Sequence, residues 1–316
     1  MMRVPAIALA AVLATTGCSR MGKPVAPATP PTAEQMAGFW VEPADVAARD
    51  LFHGPGGAEL MPQAGAAFTL VERDLTGYSR GYDLKDARGM TWSAKYGPEA
   101  QSEVVTSRIV WALGYHQPPT YYVAQWRLEG GDPARDQPYP SRFRPRLPGW
   151  TKTGEWSWRR NPFVGSQPYK GLLVLMRIVN NWDLLDRNTA LYTVDPPRDG
   201  ARRLFIVQDL GAALGKTRLA PDSGTRNDLE DFLEQGFIEK VSPSGEVAFD
   251  EKGKFHRQLF EGITTADVRW TCERLARLTD AQWSDAFRAA GYAPETASGF
   301  TRKIKEKIAA GLALGS

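Results

Sequence analysis

The chain has 316 residues, 42% hydrophobic and 24% charged, the composition of a folded protein with a real core rather than a disordered or fibrous one. A formal net charge of +3 is too small to mark a nucleic-acid surface, so no nucleic-acid partner is expected. Two cysteines, Cys18 and Cys272, exclude a disulfide-stapled scaffold.

Residues 1–17 read as a signal peptide. Arg3 supplies a positive charge, and the apolar run VPAIALAAVLATTG is too short to span a bilayer. The run ends in ATTGCS, which resembles a bacterial lipobox. The resemblance implies lipidation of Cys18 and, from Ser19, an outer-membrane lipoprotein facing the periplasm. The Pro-rich stretch to residue 37 reads as an extended tether. Cys272 then has no intramolecular partner and reads as a buried small apolar residue.

Residues 38–129 are expected to form a β-rich lobe. FTLVERD (68–74), GYDLKDA (81–87) and MTWSAKYG (90–97) alternate as strands, and DARGM predicts a hairpin turn between the last two. PEAQSEVVTSRIVWALGY (98–115) predicts a helix opened by Pro98 and stopped at Gly114. TYYVAQWRLE (120–129) predicts one further strand. Residues 130–168 carry Gly, Pro, Arg and Trp without periodicity and read as an irregular connection. Its basic residues, Arg142, Arg144, Arg146, Lys152, Arg159 and Arg160, suit either phosphate or a solvated loop.

Residues 169–316 are expected to be mainly helical. YKGLLVLMRIVNNW predicts a buried helix, and ALYTV with RRLFIVQ a short strand pair. DLEDFLEQ, ADVRWTCERLARL, DAQWSDAFRAAG and SGFTRKIKEKIAAGL predict helices, with Thr279 and Gln282 spaced as a capping box. Between the apolar run and the strand pair lies the polar knot NNWDLLDRN, and the second strand ends in VQDLG. A carboxylate at a strand end, with Gly two residues on, suits either a hard divalent cation at a cleft or a helix cap or turn.

Taken in order, hairpin strand with Lys95, helix with Glu103, Asp183-x-x-x-x-Asn188 and Asp209-Leu210-Gly211 resemble the protein-kinase-like fold. The details resemble its atypical branch of HipA-type, phosphatidylinositol and secreted CotH-type kinases. The resemblance implies a two-lobed α+β fold and a cofactor, ATP or another nucleotide with Mg²⁺ or Mn²⁺. It also implies a protein, sugar or small-molecule hydroxyl as acceptor. Lys95 would contact the phosphates and Glu103, or else Glu99, would pair with Lys95. Asp183 would orient or deprotonate the hydroxyl, and Asn188 and Asp209 would hold the metal. The chain departs from the pattern, among other places in the eight-residue spacing of Lys95 and Glu103, which is closer than in most kinases, and in Asp186, which has no counterpart. No G-x-G-x-x-G is present, Trp182 rather than Arg precedes Asp183, and Leu185 stands where HipA-type and lipid kinases carry His. Two other readings of the residues are a catalytically inactive binding or scaffolding module of the same fold, and a hydrolase using Asp183 and Asp209 as paired carboxylates.

Overall fold

The structure, a computed structural model, describes residues 22–75, 78–218, 224–251 and 256–315. The expected α+β architecture is found: a curled β-sheet comes first and a mainly helical part follows. Cys18 and the rest of the expected signal segment lie outside the described residues.

Strands β1 (Ala67–Asp74), β2 (Gly81–Asp86) and β3 (Thr91–Tyr96) form the expected antiparallel meander. The β2–β3 turn is held by Asp86, whose carboxylate accepts the N–H groups of Arg88 and Met90, both at 2.9 Å. Gly89 there adopts φ +83°, which a side chain would resist.

The single strand expected over 120–129 is instead two. β4 (Tyr121–Val123) pairs with β6 (Ser141–Pro145) at one edge of a six-stranded sheet, and β5 (Arg127–Glu129) pairs with β1 at the other. Laid flat, five strand spacings span about 24 Å, whereas the stretch from Val123 to Arg127 reaches at most roughly 14 Å. The sheet must therefore curl until its edges approach. The curl encloses a small core of Phe68, Leu84, Trp92, Tyr121, Trp126 and Phe143.

Two further expectations are corrected. The segment 130–168 is not irregular throughout, because it supplies β6, which pairs with β3, and β7 (Trp150–Gly154). Residues 33–37 are not an extended tether. They belong to helix α1 (Ala33–Phe39), opened by a Thr32/Gln35 capping box and packed on β9 (Ala201–Val207), with Phe39 stacked on Phe163 at 4.2 Å.

After the short helix α2 (Gly57–Leu60), α3 (Glu99–Ala112) is buried almost all round, between the sheet and the helical part. Its apolar stripe is indistinct in the sequence for that reason. The chain then turns at Gly114, φ +99°. Beyond the sheet, α4 (Gln167–Ile178) forms the central helix of the second core, and β8 (Thr189–Arg198) pairs with both β7 and β9. Helices α5 (Leu229–Glu234), α6 (Thr265–Leu275), α7 (Asp280–Ala289) and α8 (Pro294–Leu312) complete it, with the β10 (Ile238–Val241) and β11 (Val247–Phe249) hairpin. The Thr279/Gln282 capping box opens α7 as expected. Cys272 is fully buried and free, and burial pushes its thiol up to about 12.

Candidate active site

Strand register sets one wall of the site. Directly paired residues share a face, so Asp74, Gly81, Lys95 and Arg142 form one row, and Glu72, Asp83, Ser93 and Arg144 the next. These rows are polar because the opposite face already holds the small aromatic core. Lys95 Nζ lies 3.9 Å from Asp74 Oδ2, an approach across the row at Gly81, where no side chain intervenes. An added Cβ at Gly81 would sit 3.1 Å from Lys95 Cγ and 2.1 Å from the Ala94 carbonyl oxygen.

Neither expected partner of Lys95 pairs with it. Glu103 is buried and accepts from Arg142 Nε at 3.0 Å and from Arg144 Nη2. Burial pushes its carboxyl upward, but Arg142 and Arg144 hold it below the ordinary value, with Lys95 contributing after them. The reason is positional. β6 delivers two guanidiniums to the same face, and their planar forks meet a buried carboxylate better than one flexible ammonium does. Glu99 instead accepts from Ser79 and Arg226, and burial raises its pKa.

The opposite wall is the knot after α4. Asn180 takes a left-handed conformation, φ 52°, and turns the chain out of the helix. Lys307, fully buried, donates to Ile178 O at 3.1 Å and Asn180 Oδ1 at 3.0 Å, so it caps that turn. Asn181 Oδ1 accepts from the Asp183 N–H at 3.3 Å, and Asn188 Nδ2 donates to Asp183 O at 2.9 Å. Asn188 O accepts the N–H groups of Gln208 at 2.9 Å and Asp209 at 3.0 Å. Asp183, Asn188 and Asp209 are thus drawn together through backbone and amide bonds. Asp186 is structural, its carboxylate accepting from the Trp158 N–H at 2.9 Å.

The two walls are joined. Arg144 Nη2, beside Glu103, also donates to Gln208 O at 2.9 Å. Ser102 on α3 donates to Gly211 O at 2.7 Å. An added Cβ at Gly211 would lie 2.6 Å from Glu99 Cβ, so the turn after Asp209 lies against the first turn of α3. Lys95 and Asp209 therefore belong to one assembly, linked through the cross-strand neighbour Arg142, then Glu103, Arg144 and Gln208.

Alongside this junction opens a cleft of about 630 Å³ whose lining includes Asp74, Ser93, Arg144, Trp150, Tyr192 and Gln208 but not Lys95, Asp183, Asn188 or Asp209. The Trp150 and Tyr192 rings lie 5.5 Å apart. Sequence reasoning passed over Trp150, Tyr192 and Gln208. The one local signal for Arg144 was the alternation Arg142-Phe143-Arg144, which reads as a strand once its charges are allowed to face inward.

Among the described residues no three or more His, Cys, Asp or Glu side chains converge as a metal cluster. Asn188 and Asp209 nevertheless suit a hard cation. Asn188 spends its Nδ2 on Asp183, leaving Oδ1 as its acceptor, and Asp209 adds a carboxylate of which Oδ1 also meets the Gly211 N–H at 3.2 Å. Such a pair suits Mg²⁺ or Mn²⁺, which keep waters and take further oxygens from phosphates.

No family model and no curated protein matches the chain. Among solved structures it is similar to the crystal structure of the Helicobacter pylori proinflammatory kinase CtkA. That likeness has 12% identity, 78% of this chain and 97% of that one covered, and a TM-score of 0.47. It is also similar to the crystal structure of the Golgi casein kinase, at 10% identity, with 80% and 72% covered and a TM-score of 0.38. At these values neither likeness decides an activity.

Proposed function

We propose that this chain binds a nucleotide with a divalent metal in the cleft between the polar sheet face and the 181–188 knot, and transfers the terminal phosphoryl group to a hydroxyl acceptor. The observation that carries this reading is the joining of the two walls. Arg144 bonds at once to Glu103 of α3 and to the carbonyl preceding Asp209. The wall that bears Lys95 and the wall that bears the oxygen donors are thereby tied to each other, and phosphoryl transfer depends on such fixed positioning.

In this reading Lys95 meets the phosphates, its weak tie to Asp74 leaving the ammonium available. Trp150 and Tyr192 offer ring faces to the base. Asn188 and Asp209 hold the metal, which when bound neutralises phosphate charge. Asp183 accepts the hydroxyl proton as the acceptor oxygen bonds to phosphorus, the bond to the nucleoside diphosphate breaks, and the diphosphate leaves. We place this activity in a bacterial lipoprotein anchored at Cys18 on the periplasmic side of the outer membrane, with a protein, sugar or small molecule as acceptor.

One observation favours a second reading. Two arginines, and not Lys95, hold the buried α3 glutamate, which suits a binding module that retains the cleft without transfer. The two readings separate on turnover. In both, Mg-ATP or Mn-ATP raises the melting temperature of the purified protein, and Asp209→Ala removes the rise. Conversion of nucleoside triphosphate to diphosphate in the presence of acceptor hydroxyls then marks transfer. No rise with either metal would sink both.

A further inference from the structure

Trp182, which precedes Asp183 in place of the arginine of ordinary kinases, has no role in the proposed chemistry, and neither has the segment that follows Gly211. The two meet. Trp182 Nε1 donates to Thr225 O at 2.9 Å, and an added Cβ at Gly224 would lie 2.3 Å from that nitrogen. The next residue, Arg226, lies over the Trp182 ring at 4.9 Å and the Tyr78 ring at 4.0 Å. Its Nη1 pairs with Glu99 on the first turn of α3. The Arg226 and Glu99 side chains are 13% and 11% exposed, so water screens the pair poorly. Asn227 adds a second tie, to Gln101 of α3 at 3.3 Å.

We infer that Arg226 is a positioning residue. It clamps Tyr78, the first turn of α3 and the residue beside Asp183 onto residues 224–227. Each of these four pieces carries or adjoins a part of the proposed site. Tyr78 and Ser79 lead into the sheet that bears Lys95. Glu99 is tied to Arg226 and abuts Gly211. Trp182 adjoins Asp183. A guanidinium can serve all of them at once because its plane stacks on rings while its edge binds a carboxylate. Lys216 and Arg218, the other cations described on this segment, are engaged with Glu234 and Asp231. The inference rests on the proposed nucleotide reading for its consequence, though not for the clamp itself.

The test uses the full chain with Arg226→Met, Arg226→Lys, Glu99→Gln and the Arg226→Met/Glu99→Gln double variant. Two quantities are measured: nucleotide affinity with and without Mn²⁺, and amide exchange at 102–106 of α3 and at Gly211. The clamp predicts that Arg226→Met cuts the metal-dependent gain in affinity about tenfold, with metal-free binding held within about twofold. It predicts faster exchange at both places, partial rescue by Lys, and a double variant no worse than the worse single one. Unchanged metal gain and unchanged exchange in Arg226→Met overturn it, as do strictly additive effects. Should the wild-type chain bind no nucleotide with either metal, the functional reading fails. Exchange at 102–106 and Gly211 then decides the clamp alone. Should Arg226→Met not fold, Arg226→Lys and Glu99→Gln carry the same comparison.

Discussion

At the scale of single residues, the arrangement turns on which cation serves which carboxylate. Glu103 is buried with two arginines, whereas Lys95 is part-exposed and 3.9 Å from Asp74. Removing one member of a buried pair strands the others in a low dielectric. Glu103→Gln should therefore cost about 3–5 kcal/mol in chemical denaturation. The Lys95 pair is screened, so Lys95→Met should cost no more than about 1 kcal/mol while abolishing the nucleotide-induced rise in melting temperature. Equal losses of stability from the two substitutions would contradict this division between a structural glutamate and a functional lysine. The order of elements, a hairpin strand with Lys95 and then a helix with Glu103, suggested the pair. The competitor, Arg142, was 39 residues from Glu103 on a strand not recognised as one.

At the scale of elements, the strands and helices that were legible had self-contained reasons to form. The β2–β3 hairpin has its Asp86-to-Gly89 turn, α7 its capping box, and α4 an apolar run with a serine N-cap. The elements that misled depended on distant partners. β6 inverts the usual pattern by sending Arg142 and Arg144 to a buried face and Phe143 to the small core. β4 and β5 divide one strand-like stretch between two sheet edges. The contact between the turn after Asp209 and α3 belongs to this scale too. Gly211→Ala would drive a methyl to within 2.6 Å of Glu99 Cβ. The overpacking should cost about 1–3 kcal/mol and push the turn off the helix. Metal-dependent nucleotide binding is expected to fall with it, as read by titration calorimetry. Binding at wild-type strength would show that the contact is incidental to the site.

At the scale of the whole molecule, stability and pH are linked through the second core. His256 is buried, and burial, with Arg177 adding to it, pushes its imidazole down to about 3. The unfolded chain takes up that proton near pH 6.5, the native protein only near pH 3. Between those values the unfolded state binds more protons, so this contribution is complete above 6.5 and is lost as the pH falls. Glu251, paired with Arg177, opposes it, since burial raises its carboxyl and favours the native state on acidification. The difference between variant and wild type isolates the histidine. His256→Gln should flatten the fall in denaturation midpoint from pH 7 to pH 4. A variant with an unchanged slope would remove His256 from the account. The same core extends to the N-terminal side, where α1 places Phe39 against Phe163, Tyr115 and Trp156. The helical part is therefore completed by residues that precede the sheet.

The sequence by itself determined what is local. Asp183 and Asn188 share one loop, and a single hairpin returns Asp209 beside them, so short connections alone bring these three together. It also determined the turns, the caps and the division into a strand-rich and a helix-rich part. Only the tertiary structure decided the partner of Glu103, the place of β6, the split of 120–129 and the convergence of Tyr78, Glu99 and Trp182 on Arg226. Charges choose partners by which groups lose water together, and that choice is made across the chain, at separations where the pattern of neighbouring residues carries no record of it.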